Sequence, residues 1–242
     1  MRIPTIRGLI DRRILVNFRV DPQVLSEHLP RPFRPQLVNG YGVAGICLIR
    51  LKNIRPRFLP SFMGVSSENA AHRIAVTWDV AGERRTGVFI PRRDSSSLIN
   101  QIGGGRIFPG THHHASFESR ENGDHFFVGM DSRDGSAHVR VDGRIAADLP
   151  GDSIFSSVAN VSRFFESGSL GYSPRASQAE FDGLELRAFN WHVDPLAINH
   201  VESSYFDDRS VFPAGSVTFD NALLMRGIDH EWHGRETLSQ HL

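Results

Sequence analysis

Glycine and proline recur along the whole chain, and their spacing restricts its fold more than any other feature. The 242 residues include 22 glycines and 13 prolines, and both residue types interrupt helices. The segments between them are mostly short runs of apolar or alternating residues, which favour β-strands. We therefore predict a single α+β domain over residues 1–242, mainly antiparallel β, with few helices.

The predicted strands are joined by short turns into hairpins and meanders. Asn39-Gly40 is a typical hairpin turn, and residues 81–84 and 121–123 have similar turn chemistry. Strands are predicted over residues 33–38, 43–51, 73–80, 86–90, 112–119, 124–131 and 137–141, twice within 179–191, and over 217–225. So many antiparallel strands predict a closed or nearly closed β-barrel, and barrels of this size commonly hold a ligand in a central pocket.

Three segments are predicted to be helical. Residues 21–29 begin with Asp21 as N-cap and Pro22 in the first helical position. Residues 94–102 have Asp94 as a possible cap and end at a run of three glycines. Residues 152–166 place apolar side chains near a spacing of 3.6 residues, which is typical of an amphipathic helix.

Charge and composition exclude several classes of function. Lys and Arg number 27, as do Asp and Glu, whereas a nucleic-acid-binding protein needs a strongly cationic surface. No apolar run approaches the roughly 18 residues of a membrane span, and the first residues lack the apolar core of a signal peptide. Cys47 is the one cysteine, which excludes an intramolecular disulfide. We expect a cytoplasmic protein that uses neither nucleic acid nor membrane as a partner.

Three adjacent histidines, His112, His113 and His114, are candidates for chemistry. On a strand, His112 and His114 point to one face and His113 to the other. Two imidazoles on one face can share a metal ion, with His72 or Glu68 among the further donors available, but the chain has no recognised zinc spacing. The alternatives are a histidine-rich strand half exposed to solvent, and a metal-free pocket acid, base or hydrogen-bond donor.

Two further clusters contain cations or acids. Arg106 follows three glycines, and its guanidinium can bind a carboxylate through two parallel hydrogen bonds; the glycines are equally typical of a helix end. Glu68, His72 and Arg73 lie close together at the start of a strand, which an ordinary surface ion-pair cluster would also explain.

Three other features are given structural interpretations. Residues 229–233 contain two histidines and two acids near the C-terminus and are predicted to be a solvated tail. Cys47 lies inside an apolar run and is interpreted as a core thiol. Lys52 is the only lysine, all other basic side chains being arginine, so it is the only side-chain amine for Schiff-base chemistry.

Several short motifs follow one another in order along nearly the whole chain. They include Val20-Asp21-Pro22, Asn39-Gly40-Tyr41-Gly42-Val43-Ala44-Gly45, Thr86-Gly87-Val88-Phe89-Ile90 and Trp191-His192-Val193-Asp194-Pro195-Leu196. In this order they resemble the YqjF-like family of uncharacterised bacterial proteins. The resemblance implies an acetoacetate-decarboxylase-like fold, an antiparallel β-barrel with flanking helices around a central pocket.

The resemblance also implies that this chain lacks the lysine pair of the acetoacetate decarboxylases. Acetoacetate decarboxylases carry Gly-Arg-Glu and then Gly-x-Pro-Lys-Lys, where one lysine forms a Schiff base and the other lowers its pKa. The nearest equivalent here is Gly105-Arg106-Ile107 followed by Gly110-Thr111-His112-His113-His114. His113 and His114 fall at about the positions of the lysines, and imidazole cannot form the protonated imine. Glu68 falls roughly where those enzymes place a pocket glutamate.

The first functional hypothesis is a pocket protein that binds, or performs acid/base chemistry on, a small keto acid or other oxygenated metabolite. His113, His114 and Glu68 are its candidate catalytic residues, and Arg106, His112 and His72 its candidate ligand-binding residues. The alternatives are a non-catalytic ligand sensor or carrier and a histidine-based metal-assisted hydrolase. We expect no cofactor, a small-molecule partner and, from pairing of sheet edges, a possible homodimer.

Overall fold

The computed structural model describes residues 4–97, 109–175 and 179–240. Within these ranges the chain forms one sheet of thirteen strands, two α-helices and a short 3-10 helix, Ser61–Met63. The helices are α1, Pro22–His28, and α2, Val158–Ser167. Neither has the length and hydropathy that crossing a membrane requires. The strands are β1 Ile6–Val20, β2 Arg34–Pro35, β3 Leu37–Val38, β4 Tyr41–Pro56, β5 Val65–Val80, β6 Glu83–Ser95, β7 His112–Asn122, β8 His125–Ser132, β9 His138–Ile145, β10 Leu170–Pro174, β11 Glu180–Ala188, β12 Asp194–Ser203 and β13 Val217–Ser239.

Five long strands form the part of the sheet on which the rest is built. Strands β13, β1, β4, β5 and β6 pair in that order, and every pair is antiparallel. Two routes lead from β6 back to β13, one through β7, β8, β9 and β12 and the other through β10 and β11. The hydrogen-bonded pairs therefore form two closed circuits that share these five strands.

The shared strands bury side chains on both faces. On β1, Ile14 and Val16 belong to one apolar cluster, the first core, whereas Leu15 belongs to a second core. Helix α2 contributes Val161 and Phe165 to the second core. Burial on both faces explains why a shared strand such as β4 reads as a nearly continuous apolar run rather than an alternating one.

Several predicted local features are confirmed. The side chain of Asp21 accepts a hydrogen bond from the Gln23 backbone N–H at 2.8 Å, and Pro22 opens α1 as predicted. Asn39 and Gly40 have positive φ angles of 48° and 85°, as a two-residue hairpin turn of this type requires. The two predicted hairpins are present as β5–β6 and β7–β8.

Two helix predictions are wrong at their N-terminal ends. Asp94 does not cap a helix but lies in β6, where it accepts hydrogen bonds from Arg92; residues 98–102 of that prediction lie outside the described residues. Helix α2 begins at Val158, six residues later than predicted, because Ser157 provides its cap. The preceding segment is held in turns by contacts such as the Ile154 N–H to the Asp220 carboxylate, 2.8 Å.

The strand predictions differ from the structure in several places, and strands β10 and β12 have no predicted counterpart. Residues 179–191 contain one strand, β11, with Gly183 in its interior, where a Cβ atom would lie 2.8 Å from the ring of Tyr172. Strand β13 continues to Ser239, so residues 229–233 are part of the sheet, and His230 is fully buried. Strand β1 has no predicted counterpart either; its apolar residues follow no regular alternation, and charged residues such as Arg12 lie among them.

Candidate functional site

A cavity of about 130 Å³ lies on the second-core face of the shared strands, where β10, β11 and α2 cover them. Most of the side chains that line it are apolar. They are Ile49, Leu51, Val88, Ile90, Phe165, Leu184, Leu186 and Trp232. Its polar lining includes three arginines, Arg13, Arg73 and Arg93, together with Cys47 and His112. The walls suit a small carbon skeleton, and the arginines provide concentrated positive charge.

Strand register brings the polar residues to one face. Cys47 on β4 is opposite Ala71 on β5, and Ala71 is opposite Arg93 on β6. Arg73 is two residues beyond Ala71 and therefore points to the same face. Its partner on β4 is Gly45, where a Cβ atom would lie 2.1 Å from the Val16 carbonyl oxygen.

Arg73 is the most deeply buried of the three arginines, with 3% of its surface exposed. One Nη atom donates a hydrogen bond to the Asn17 side-chain oxygen, and the guanidinium lies 4.4 Å from the centroid of the Phe165 ring. Its Nε and other Nη atoms have no hydrogen-bond partner among the described residues. Desolvation lowers the pKa of Arg73 to about 9, so the buried charge is poorly compensated.

Arg13 and Arg93 are also bonded to weakly polar or neutral groups. Arg13 Nε donates to Cys47 Sγ at 3.1 Å, and one Nη atom approaches the Met225 sulfur at 3.9 Å. Arg93 Nε donates to the Ser173 hydroxyl at 3.2 Å. Desolvation lowers the pKa of Arg93 to about 10.

No carboxylate in the described part of the chain forms an ion pair with Arg13, Arg73 or Arg93. Asp94 lines the cavity but accepts two hydrogen bonds from Arg92, both of 2.8 Å. The segments outside the described residues, 1–3, 98–108, 176–178 and 241–242, contain neither Asp nor Glu. Since buried charges are normally paired, the arginine cluster carries positive charge that no carboxylate in the described residues balances.

Comparison with known proteins places this architecture in a family. The family model DUF2071, described as "Uncharacterized conserved protein (COG2071)", matches residues 10–211. The chain belongs to this family. A comparison with curated protein sequences finds no match.

Solved structures similar to this member of the family are acetoacetate-decarboxylase-like proteins. An acetoacetate decarboxylase-like enzyme from Sphingomonas wittichii RW1 is 13% identical, with a TM-score of 0.64 over 98% of this chain and 93% of that chain. Acetoacetate decarboxylase from Legionella pneumophila is 12% identical, with a TM-score of 0.59 over 95% and 86%. The enduracididine biosynthesis enzyme MppR, in complex with pyruvate, is 10% identical, with a TM-score of 0.59 over 98% and 89%. These identities show the shared fold alone.

The three adjacent histidines have different surroundings. His112 lines the cavity and is the register partner of Arg93. His113 is partly exposed, and its Nδ1 lies 2.9 Å from the Asp134 carboxylate. His114 is half-buried and is not among the residues that line the cavity. Within the described residues, no group of three or more His, Cys, Asp or Glu side chains is arranged to hold a metal ion.

Glu68 and His72 lie away from the cavity. Glu68 accepts hydrogen bonds from Arg12 and Arg50, each of 2.6 Å, in an ion-pair network. His72 is fully buried, and its ring packs 4.7 Å from that of Tyr205. Desolvation, with a contribution from the positive charge of Arg92, lowers the pKa of His72 to about 3, so this imidazole is neutral at physiological pH.

Two further residues considered above, Arg106 and Lys52, do not form part of the described site. Arg106 lies outside the described residues. Lys52 is about half exposed, donates a hydrogen bond from Nζ to Asp11 at 2.9 Å, and is not among the cavity-lining residues. The amine that Schiff-base chemistry would need is therefore paired with a carboxylate outside the cavity.

Sequence reasoning did not single out Arg13, Arg73 or Arg93 as a set. They are far apart in the chain, and nothing in their spacing distinguishes them from the other arginines. The available signal was a charged residue inside an otherwise apolar strand, as for Arg73 in residues 70–76. Cys47 is buried as predicted, at 7% exposure, but it also lines the cavity.

Proposed function

We propose that this protein binds a small organic acid in the cavity, with the acid's carboxylate held by Arg13, Arg73 and Arg93. The observation that carries the proposal is the absence of a carboxylate partner for these three guanidinium groups in the described residues. Arginine matches the planar, two-oxygen geometry of a carboxylate. A bound acid would supply the negative charge that the protein itself does not provide.

The size and walls of the cavity indicate a compact ligand. A volume of about 130 Å³ suits a molecule of a few carbon atoms, and the apolar lining suits its skeleton. Keto acids are the first class to test, because one neighbour in fold is complexed with pyruvate and others are acetoacetate decarboxylases. We interpret the paired circuits of strands as a barrel-like frame around this pocket.

The most plausible chemistry in this pocket is proton transfer, hydration or dehydration at a carbonyl compound. His112 is the acid/base candidate that lines the cavity, and its register places it beside Arg93. His113, His114, Glu68 and His72 are not among the residues that line the cavity, so His112 is the first of the candidates to test. Arg106 remains a proposed additional guanidinium for the ligand. Imine formation is disfavoured because Lys52, the one lysine, lies outside the cavity.

Isothermal titration calorimetry with pyruvate and acetoacetate, each compared with its neutral amide, tests the proposal. We expect the acids to bind and the amides to bind at least about tenfold more weakly, because one charge-assisted contact is worth about 1.5–3 kcal/mol. Arg93→Met should weaken binding of the acids. The matched control, Arg84→Met, removes an exposed arginine on β6 and should leave binding unchanged. Equal binding of acids and amides would contradict the proposal.

The second candidate function is a ligand carrier or sensor without turnover, favoured by the predominantly apolar walls. Both functions require binding, so the discriminating measurement is the fate of the ligand. Proton NMR of pyruvate or acetoacetate in deuterated buffer with catalytic amounts of protein would show exchange at the carbon next to the carbonyl, or loss of carbon dioxide. Binding without either change supports the carrier.

A further inference from the structure

Cys47 is the one cysteine of the chain, and it lines the cavity at the edge of the second core. Arg13 Nε donates a hydrogen bond to Sγ at 3.1 Å. This contact places the positive charge of a guanidinium directly against the sulfur. A sulfur in this position is therefore set up differently from an inert core thiol.

The other two arginines also act on this sulfur. Cys47, Ala71 and Arg93 form one row across three strands. Burial lowers the pKa values of Arg73 and Arg93, and a negative charge at Cys47 acts in the opposite direction on both. The cavity thus concentrates positive charge around the Cys47 sulfur, with no carboxylate bonded to these arginines in the described residues.

The unpartnered nitrogens of Arg73 are an independent observation that supports ligand binding in the same cavity. Arg73 is 3% exposed and lines the cavity, and two of its three guanidinium nitrogens have no partner in the described part of the chain. An anion held there would have its carbon skeleton in the cavity that Cys47 also lines.

We propose that Cys47 is a nucleophilic site for small acids that carry an electrophilic carbon next to the carboxylate. The inference rests on the proposed binding of acids by the arginines. With a 2-oxo acid, the sulfur electron pair forms a bond to the carbonyl carbon, the carbon–oxygen π bond breaks, and the oxygen takes a proton from water. The product is a reversible hemithioketal, and no oxidant or reductant is needed.

The test compares iodoacetate with iodoacetamide, which differ in one charge and react with thiolates in the same way. The sulfur–carbon bond forms, the carbon–iodine bond breaks and iodide leaves. Intact-protein mass spectrometry gives the rate of each reaction, and a single cysteine makes the adduct unambiguous. We expect the ratio of the iodoacetate rate to the iodoacetamide rate to be about tenfold or more higher in the native protein than in urea, because a positively charged cavity concentrates anions.

Variants separate the cavity effect from general reactivity. Arg93→Met should lower the native ratio toward the unfolded value, whereas the exposed-site control Arg84→Met should leave it unchanged. Cys47→Ser should abolish labelling. The inference is wrong if the native ratio equals that in urea, or if the native cysteine is unreactive while the unfolded one is labelled.

Calorimetry on Cys47→Ser distinguishes this inference from the proposed function. If the variant still binds pyruvate but the native protein shows no preference for iodoacetate, the nucleophile proposal fails and acid binding stands. If neither the native protein nor the variant binds an acid, and labelling shows no preference, both proposals fail.

Discussion

Replacing Arg73 by methionine should stabilise the protein while abolishing acid binding. Methionine keeps most of the length of the side chain and removes the guanidinium. Arg73 is almost completely buried, at 3% exposure, and has no carboxylate partner among the described residues. Replacing a poorly compensated buried charge by an apolar side chain of similar shape commonly stabilises a fold.

The expected gain follows from the charge and contacts of Arg73. Its pKa falls from 12.5 to about 9 on folding, which corresponds to an unfavourable term of about 5 kcal/mol for the charged form. Against this, the variant loses the hydrogen bond to Asn17 and the contact with the Phe165 ring, together about 2–4 kcal/mol. The net expectation is about 1–3 kcal/mol of added stability, or a rise in Tm of roughly 2–10 °C for a chain of this size.

Differential scanning calorimetry measures this change in Tm, and titration with pyruvate measures binding. Arg12→Met is the matched control, since Arg12 is as buried, at 1% exposure, but pairs with Glu68 at 2.6 Å and Glu121 at 2.9 Å. Removing Arg12 breaks both of its ion pairs and leaves Arg50 as the remaining partner of Glu68 and Glu121, so it should cost about 2–4 kcal/mol. If Arg73→Met instead lowers Tm as much as Arg12→Met does, or retains acid binding, the reasoning about the unpaired arginine is refuted.

Two further predictions concern acid sensitivity and close packing. His72 has a pKa of about 3 when folded and 6.5 when unfolded. Between these pH values the unfolded chain binds the extra proton, so the free energy of unfolding decreases as the pH falls. The variant His72→Phe should therefore show a smaller change of Tm with pH between about 6.5 and 4, and an unchanged slope would contradict the assignment. Gly45→Ala should lower the free energy of unfolding, measured in urea, by about 3 kcal/mol or more, because the new Cβ would lie 2.1 Å from the Val16 carbonyl oxygen. The control Gly151→Ala, where the space around the Cβ is open, should leave the free energy of unfolding nearly unchanged.

Local chemistry made part of the fold predictable. The Asp21 cap with Pro22, and the Asn39-Gly40 turn, depend on a few adjacent residues whose backbone preferences are strong. The start of α2 was less predictable, because Asp152 is a good cap type but is used instead in an ion pair with Arg19. The start of α2 therefore depends on Arg19, a residue far from the helix in the sequence.

The long strands were harder to predict because both of their faces are buried. Strand β1 contributes side chains to both cores, and one of its charged residues, Arg12, is fully buried. A sequence pattern that equates charge with exposure therefore misses it. The same assumption made residues 229–233 look like a solvated tail, although His230 is fully buried in β13.

The candidate site could not be read from the sequence because neighbouring arginines have opposite roles. Arg12 pairs with carboxylates on the first-core face, whereas the next residue, Arg13, faces the cavity without one. Arg92 is likewise bonded to Asp94, whereas Arg93 lines the cavity. Alternation along a strand sends adjacent side chains to opposite faces. Arg12 and Arg92 have carboxylate partners among the described residues, whereas Arg13 and Arg93 have none. This difference, visible only in three dimensions, distinguishes the paired arginines from those that we propose to bind a ligand.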